Sequence, residues 1–330
     1  MQAGLSATIT RDHVDPGTPH VPNGARASDS PHCAHNLISR WHDPAVNESV
    51  GWTSLAAGRR HSVGLRGDAT VLAVGNGAAG EVDVDGWVDV VALAAGSVHT
   101  SRNTGRSHTV GLRSDGTVLA TGWNGDGQCD VNRWTGVVGL AAGWRRTLGL
   151  RSDGTVLAAG RRTEGALDVH GWREVVSASC GDWHSVGVRA DGTAVAVGSN
   201  RRGQCEVAGW TRLAGIAAGY LHTVGVTTDG RVVGAGDPST GALGVTEWRE
   251  VVAVAAGSYH TVGLTAAGQL LAVGNNQDGQ CDVRAWSDIV GIAAGSQHTL
   301  GLRADGTAIA TGCNDDNQCS ISAWSDLRVR

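Results

Sequence analysis

The chain has 330 residues and a net charge of -5 at neutral pH, which argues against attraction of the whole molecule to nucleic acid or an anionic membrane. Fifty glycines, six prolines, one methionine and no phenylalanine are typical of many short strands joined by tight turns, and do not favour helices. No apolar run approaches the roughly 18 to 20 residues that span a bilayer, and the N-terminus lacks a secretion signal, so we expect a cytoplasmic protein.

Residues 1–50 differ in composition from the remainder of the chain. Their Pro, Asp, Ser, Asn and His content shows no periodicity, which predicts a disordered or loosely ordered segment ahead of a single domain at 51–330. Residue types that bind metals occur here at spacings that match no zinc finger: His13, His20, His32, Cys33, His35 and His42. We therefore expect a solvated segment, and no metal or other cofactor.

A block of 38 residues repeats along the rest of the chain. Its marker is a tryptophan that recurs at this interval, as Trp134, Trp172, Trp210, Trp248, Trp286 and Trp324. Trp87 precedes Trp134 by 47 residues, and the nine extra residues form an insert at about 100–107. A fixed period of roughly 20 to 50 residues indicates a solenoid, a propeller or an array.

Each copy of the repeat predicts four short antiparallel strands, which we call A to D. Strand A is an apolar run that ends in Ala-Ala-Gly, as at 251–257, and strand B alternates, as at 260–264. An Asp-Gly pair then predicts a hairpin, because glycine accepts the positive φ of the turn. Strand C follows, as at 117–122, and Gln128–Val131 is an example of strand D.

The repeat count predicts the closed architecture. Seven copies of a four-stranded unit that cannot bury both faces alone predict an all-β protein, a seven-bladed β-propeller with four antiparallel strands per blade. Strand A, the most apolar, is expected at the central axis, and the polar strand D at the rim. Residues 324–329 repeat the start of strand A, so we expect them to pair with the first blade and close the ring.

The cysteines give little evidence of disulfides. Four of them share one repeat position and therefore fall in different blades: Cys129, Cys205, Cys281 and Cys319. A bridge between Cys313 and Cys319 across one hairpin stays open as an alternative.

The repeated motif resembles a known family. Residues 255–264 read Ala-Ala-Gly-Ser-Tyr-His-Thr-Val-Gly-Leu, with counterparts at 217–226 and 293–302, and Gly274-Asn275-Asn276 precedes Gly279-Gln280. These segments resemble the regulator of chromosome condensation repeat, whose founding member is a chromatin-bound guanine nucleotide exchange factor for a small GTPase. The chain departs from that family in its shorter blades, in Cys-Asp after Gly-Gln, and in having no basic tail. Its blade length is also similar to that of the secreted seven-bladed β-lactamase inhibitors, which implies protein binding.

Residues that recur in every blade are expected to have a structural role. A single asymmetric partner could not contact the same residue in all seven blades. The histidine that begins strand B is such a position, and Arg146 takes its place in the third copy. We expect these side chains to satisfy local backbone groups rather than to form a metal ring or a catalytic base: His61, His108, His184, His222, His260 and His298.

Sequence variation concentrates in the A–B and C–D loops, which should share one face of the ring. We call this the loop face, and the opposite side, with the Asp-Gly turns, the turn face. Four loop aromatics are predicted partner anchors, because Trp and Tyr are enriched at interface hot spots: Trp144, Trp183, Tyr220 and Tyr259. The alternative is that they plug the mouth of the channel.

Charges divide the loop face into two arcs. The basic arc has Arg59, Arg60, Arg102, Arg106, Arg145, Arg161, Arg162, Arg201 and Arg202. The acidic arc has Asp237, Asp278, Asp315 and Asp316, and the basic arc is interrupted by Asp126, Glu164 and Asp182. A dipolar face would orient a protein partner better than it would follow a uniform polyanion, whereas a solvated rim of mixed charge is the alternative.

No enzyme motif is present, since the chain lacks a phosphate-binding glycine loop with a following helix, a zinc helix motif and a nucleophile elbow. We therefore expect a monomeric, non-catalytic protein-interaction module that binds a protein through the loop face, with no membrane or nucleic-acid partner. The resemblance keeps two alternatives open, namely a nucleotide-exchange-like regulator of a small GTPase and a protein inhibitor of a hydrolase.

Overall fold

The computed structural model describes residues 54–101 and 106–329, so the predictions for residues 1–50 lie outside it. The described chain forms seven three-stranded antiparallel sheets, each with its strands in chain order. Within residues 54–101 and 106–329, one short 3-10 helix occurs, at Pro238–Thr240, and no helix there is long and apolar enough to cross a membrane. The prediction of an all-β ring of seven blades is confirmed.

The strands follow one pattern in every blade, with strand A innermost. Their bounds are β1 Leu55–Ala57, β2 His61–Leu65 and β3 Val71–Gly75; β4 Val90–Ala95, β5 His108–Arg113 and β6 Val118–Gly122; β7 Val137–Gly143, β8 Arg146–Arg151 and β9 Val156–Gly160; β10 Val175–Cys180, β11 His184–Arg189 and β12 Ala194–Gly198; β13 Leu213–Ala218, β14 His222–Thr227 and β15 Val232–Gly236; β16 Val251–Ala256, β17 His260–Thr265 and β18 Leu270–Gly274; β19 Ile289–Ala294, β20 His298–Arg303 and β21 Ala308–Gly312.

The predicted fourth strand is wrong. Residues 128–131 and their counterparts form consecutive turns, in which Asp130 N donates to Gly127 O and Val131 N to Cys129 O. The Asn124 side chain satisfies this segment locally, since its Oδ1 accepts from Cys129 N at 2.7 Å. Because backbone N–H groups of this segment are satisfied within the loop, they are not available to pair with a neighbouring strand.

The burial of this outer segment corrects one expectation, and its thiols show that the alternative of a Cys313–Cys319 bridge is wrong. Gln128 is 1% exposed rather than on the rim, and its Oε1 accepts from Asp126 N at 3.1 Å. The described cysteines are free, and Cys319 Sγ lies 3.3 Å from the Cys313 carbonyl oxygen instead of bonding to its sulfur.

A tryptophan from each copy packs onto a glycine in strand B of the next blade. The Trp248 ring lies over Gly263, so closely that a Cβ there would be 2.7 Å from Trp248 Cζ3. The same contact joins Trp324 to Gly64, which links the end of the chain to the first blade. Glycine at this position in β2 and its counterparts therefore lets the large ring fill the space between blades.

The C-terminal segment closes the ring, as predicted. Leu327 forms a bridge with Arg66, Gly67 N donates to Asp326 O at 2.8 Å, and Arg328 N donates to Leu65 O at 2.9 Å. Residues 327–328 thus supply the start of the first blade's inner strand, and β1 supplies its end.

The seven inner strands surround a central cavity of about 1260 Å³. Its lining is rich in alanine, leucine and valine, with residues from β1, β4, β7, β10, β13, β16 and β19. This confirms the expected position of strand A at the axis.

A buried hydrogen bond crosses six of the seven junctions between blades. The histidine that begins strand B reaches the hydroxyl of Thr or Ser in strand B of the next blade, as His260 Nε2 does to Thr299 Oγ1 at 3.0 Å. The equivalent pairs are His61–Thr109, His108–Thr147, His184–Thr223, His222–Thr261 and His298–Ser62. The histidines therefore have a structural role, as their recurrence predicted, but the expected bonds to local backbone groups are wrong, since the rings bond to side-chain hydroxyls of the next blade.

The hydroxyl fixes which histidine nitrogen carries the proton. Thr299 Oγ1 donates to the carbonyl of Gln280 at 2.7 Å, so the same oxygen accepts from His260 Nε2. The remaining nitrogen, Nδ1, is buried and unbonded. Gly257 makes room for the ring, because a Cβ at that position would overlap it.

Burial keeps these six histidines neutral. It lowers the pKa of His61, His184, His260 and His298 to about 3, and that of His108 and His222 to about 4. In the unfolded chain the same groups take up protons near pH 6.5.

This difference predicts destabilisation by mild acid. Below pH 6.5 the unfolded chain binds more protons than the folded chain, so the free energy of unfolding should fall as the pH is lowered towards 5. Each histidine contributes up to about 1.4 kcal/mol per pH unit. Urea denaturation of the wild type and His260→Gln at several pH values measures this slope, which should be smaller by one proton in the variant. An identical slope in both proteins would contradict the assignment.

Candidate functional site

The A–B and C–D loops lie on the same face of the ring, as predicted. Arg145 in an A–B loop contacts Asp126 in the preceding blade's C–D loop, with 3.2 Å between Nη1 and Oδ2. In the same way, Gln297 Nε2 donates to Asp278 Oδ2 at 2.7 Å. Each A–B loop is thus beside the C–D loop of the blade before it.

The four predicted aromatic anchors form two contacting pairs on this face. The ring centroids of Trp144 and Trp183 are 4.5 Å apart with nearly perpendicular planes. Tyr220 and Tyr259 are 5.3 Å apart in a similar arrangement. The loops of four consecutive blades, the third to the sixth, therefore place their aromatic side chains together.

His99, directly before the insert, joins the two pairs. Its ring stacks on Tyr220 with centroids 4.6 Å apart, and it contacts Trp144 at 5.5 Å and Trp183 at 5.8 Å. Its Nδ1 lies 2.7 Å from Asp182 Oδ2, and its backbone N donates to the same oxygen at 2.6 Å. We call His99, Trp144, Trp183, Tyr220 and Tyr259 the aromatic cluster.

Residues 97–99, directly before the insert, lie at the loop-face mouth of the channel. Although they follow strand A of the second blade, Val98 bonds to Ser296 of the seventh blade: Val98 N donates to Ser296 Oγ at 3.2 Å, and this hydroxyl donates back to the Val98 carbonyl. Features of both hypotheses, anchors for a partner and a plug for the mouth of the channel, are therefore present. Trp144 and His99, 7% and 6% exposed, contribute to closing the mouth, whereas Trp183, Tyr220 and Tyr259 are partly exposed.

Arginine and tryptophan side chains alternate beside the cluster. The Arg145 guanidinium carbon lies 4.6 Å from the Trp123 ring centroid and 4.7 Å from that of Trp144. Arg161 continues the series at 5.0 Å from Trp144 and 6.0 Å from Trp183. Such cation–π contacts hold long arginine side chains in defined positions.

The other predicted arginines differ in exposure and pairing. Arg59 is buried, and burial is the main cause that lowers its pKa. Arg60 pairs with Asp316 at 3.3 Å, and Arg202 with Asp237 at 3.6 Å. The basic and acidic arcs therefore meet at both of their ends.

Two arginines of the C–D loops keep their charge exposed. Arg162 and Arg201 are exposed and form no salt bridge within the described residues. Asp315 in the acidic arc is likewise exposed, as is Asp278. Arg106 is exposed, and Arg102 lies outside the described residues.

Arg146 replaces the histidine at the third junction and is fully buried. Its Nη1 donates to the carbonyls of Asp182 at 2.9 Å and Gly181 at 3.3 Å. Its Nη2 lies 3.6 Å from the Glu164 carboxylate. Arg146 thereby supports the loop that carries Asp182 and Trp183.

The site also contains four residues that were not predicted from the sequence: His99, Trp123, Arg146 and Asp182. Two signals were available, since Arg146 breaks the histidine series and Trp123 occupies a variable loop. His99 carries no such signal, because its partners come from distant blades. Among the described residues, no group of three or more His, Cys, Asp or Glu is arranged to hold a metal ion.

The Arg146 arrangement generates a stability prediction. Arg146→Ala should lower the free energy of unfolding by about 1 to 3 kcal/mol for each buried acceptor that it leaves unsatisfied, because the carbonyls of Gly181 and Asp182 lose their donor and Glu164 keeps only its pair with Arg161. Arg146→His should lose less, since Ser185 Oγ donates to Ala166 O at 2.7 Å and can accept from the new ring as elsewhere. Urea denaturation of both variants tests this. Equal losses would contradict the proposed contacts.

Comparison with protein families agrees with the architecture. The model of the regulator of chromosome condensation repeat matches residues 103–128, 175–204, 214–242, 251–280 and 289–318. A search of curated protein sequences found no match.

Solved propellers share the fold at low sequence identity. The ectodomain of the receptor kinase CR4 from Physcomitrella patens is 20% identical, with a TM-score of 0.63, over 79% of this chain and 73% of that one. Prp20p from Saccharomyces cerevisiae is 16% identical, with a TM-score of 0.61, over 92% and 90%. The ectodomain of ACR4 from Arabidopsis thaliana is 18% identical, with a TM-score of 0.60, over 80% and 98%. The chain is therefore a seven-bladed propeller that carries regulator of chromosome condensation repeats.

Proposed function

We propose that this protein is a non-catalytic interaction module that binds a protein partner through its loop face. The strongest support is that the features in which single copies differ from the repeated sequence lie together on one surface. His99 directly before the insert, the buried Arg146 and the loop aromatics all meet on the loop face of the second to sixth blades. A ring needs none of these features, since the other junctions form without them.

The chemistry of this surface suits a protein interface. Trp183, Tyr220 and Tyr259 are partly exposed, and each is held by another ring, so binding would cost little side-chain entropy. Trp144 is covered by its neighbours and acts as their support. Three partly exposed rings, rather than the four expected from the sequence, are therefore available to a partner. Contacts with neighbouring rings hold each of them in place.

The exposed charges would orient the partner. Arg162 and Arg201 in the third and fourth blades are exposed and without an ion pair in the described chain, while Asp278 and Asp315 lie exposed in the sixth and seventh. Opposite charges across one face favour a partner with the complementary arrangement and raise its association rate. A polyanion would meet repulsion at the acidic arc.

Relatives bind proteins, but they do not identify this partner. The structure of Prp20p is described together with its binding to Gsp1p and histones, and yeast Prp20 has been solved with Kap60. At 16% and 17% identity these similarities concern the fold alone. No feature of the loop face favours nucleotide exchange or hydrolase inhibition over other protein binding.

Affinity purification with matched variants tests the proposal. The bait is the full chain, and the test variant combines Trp183→Ala, Arg162→Ala and Arg201→Ala. We expect proteins recovered with the wild type to fall at least tenfold with this variant, because it removes one aromatic anchor and both exposed cations.

A turn-face variant is the control. Val290 is 43% exposed, on the opposite side of the ring, so Val290→Ala should leave recovery unchanged. Circular dichroism and cooperative melting of each bait establish that the ring is intact. Equal recovery by the loop-face and turn-face variants would show that the loop face does not bind the partner.

A further inference from the structure

A buried carboxylate lies at the centre of the loop face. Asp182 is 2% exposed, although it occupies a loop rather than the core. Removing an ionised carboxylate from water costs free energy unless it is hydrogen-bonded or paired. The Asp182 Oδ2 atom meets this requirement through His99, whose backbone N and ring Nδ1 both reach it.

Aromatic rings enclose the same position. The His99 ring stacks on Tyr220 at 4.6 Å, with 26° between the planes. Trp144 approaches it nearly edge-on, and Trp183 lies at a tilt of 31°. A flat group that donates N–H to the carboxylate while it lies against Tyr220 is therefore the shape that this site accommodates.

This combination is not part of the propeller framework. At the equivalent loop position the other blades carry Arg59, Ser97, Trp144, Tyr220, Ser258 and Ser296, so Asp182 is the one carboxylate of the set. The His99 side chain that fills the site lies directly before the insert, which is itself an exception to the repeat. The enclosure thus combines two independent departures from the repeated sequence.

We propose that Asp182, Trp144, Trp183 and Tyr220 form a binding site for the guanidinium group of an arginine side chain, which His99 occupies in this structure. A guanidinium is planar, stacks on aromatic rings and donates two parallel N–H groups to a carboxylate. It would therefore make the contacts that the imidazole makes, with an additional donor. This inference rests on the proposed function, because a protein partner would supply the arginine in place of His99.

A lysine ammonium fits the site less well. It is compact and strongly hydrated, and it cannot stack as a plane on Tyr220. The site should therefore distinguish the two basic side chains, which a nonspecific negative surface would not do.

Direct titration with small probes tests this site without knowledge of the partner. His99→Ala in the full chain removes the occupant, and N-acetylarginine methylamide is the probe, followed by isothermal titration calorimetry. We expect His99→Ala to bind the probe at least tenfold more tightly than the wild type does. N-acetyllysine methylamide should bind at least tenfold more weakly than the arginine probe.

Asp182→Asn in the His99→Ala background is the control. It keeps the size of the side chain but removes its charge, so binding of the arginine probe should fall at least tenfold. Equal affinities of the single and double variants, or of the two probes, would overturn the proposal. A failure here, with partner recovery still lost in the loop-face variant, would leave the proposed function standing.

A second comparison applies if His99→Ala does not fold. His99→Arg places the guanidinium on the chain itself and should melt at or above the wild-type temperature. His99→Leu has a similar volume but no side-chain donor, and should melt lower because Asp182 then keeps only the backbone N–H of residue 99. A His99→Leu protein as stable as His99→Arg would overturn the proposal.

Discussion

The ring depends on one hydrogen bond repeated between neighbouring blades. A histidine at the start of strand B donates to a hydroxyl in the next blade, and that hydroxyl donates to a carbonyl of the loop before it, as His260, Thr299 and Gln280 show. A buried bond of this kind contributes about 1 kcal/mol. Its geometry matters as much, because it requires a glycine beside the histidine ring and fixes the distance between blades.

The site lies where this interaction is replaced. At the junction of the third and fourth blades, Arg146 bonds to the carbonyls of Gly181 and Asp182 instead of to a hydroxyl. This changes the support of the loop that carries Asp182 and Trp183. His99, directly before the insert, lies on that loop, and the partly exposed rings of Trp183 and Tyr220 are held in position by contacts on several sides. Arg146 thus connects the packing between the third and fourth blades to the loop that carries Asp182 and Trp183.

The sequence predicted the features that local or periodic patterns encode. The tryptophan period and the Asp-Gly turns were sufficient for seven blades, the innermost strand and the closing segment. The fourth strand failed because the Asn124 side chain satisfies residues 128–131 within their own loop, which an alternating pattern does not reveal. His99 was missed because its contact with Asp182 joins residues 83 positions apart, and Trp144 is covered by rings from other blades. Contacts of this kind form only when the closed ring brings loops of different blades together, so they leave no local pattern in the sequence.

Hydrogen–deuterium exchange of the propeller, alone and with its captured partner, tests the central claim that the loop face is the binding surface. The account predicts slower exchange in the partner complex at residues 181–183, 219–221 and 257–259, in the loops that carry the aromatic cluster. Exchange at the Asp-Gly turns, such as 115–116 and 191–192, should stay unchanged. Protection confined to those turns would contradict the account, because the partner would then bind the opposite face of the ring.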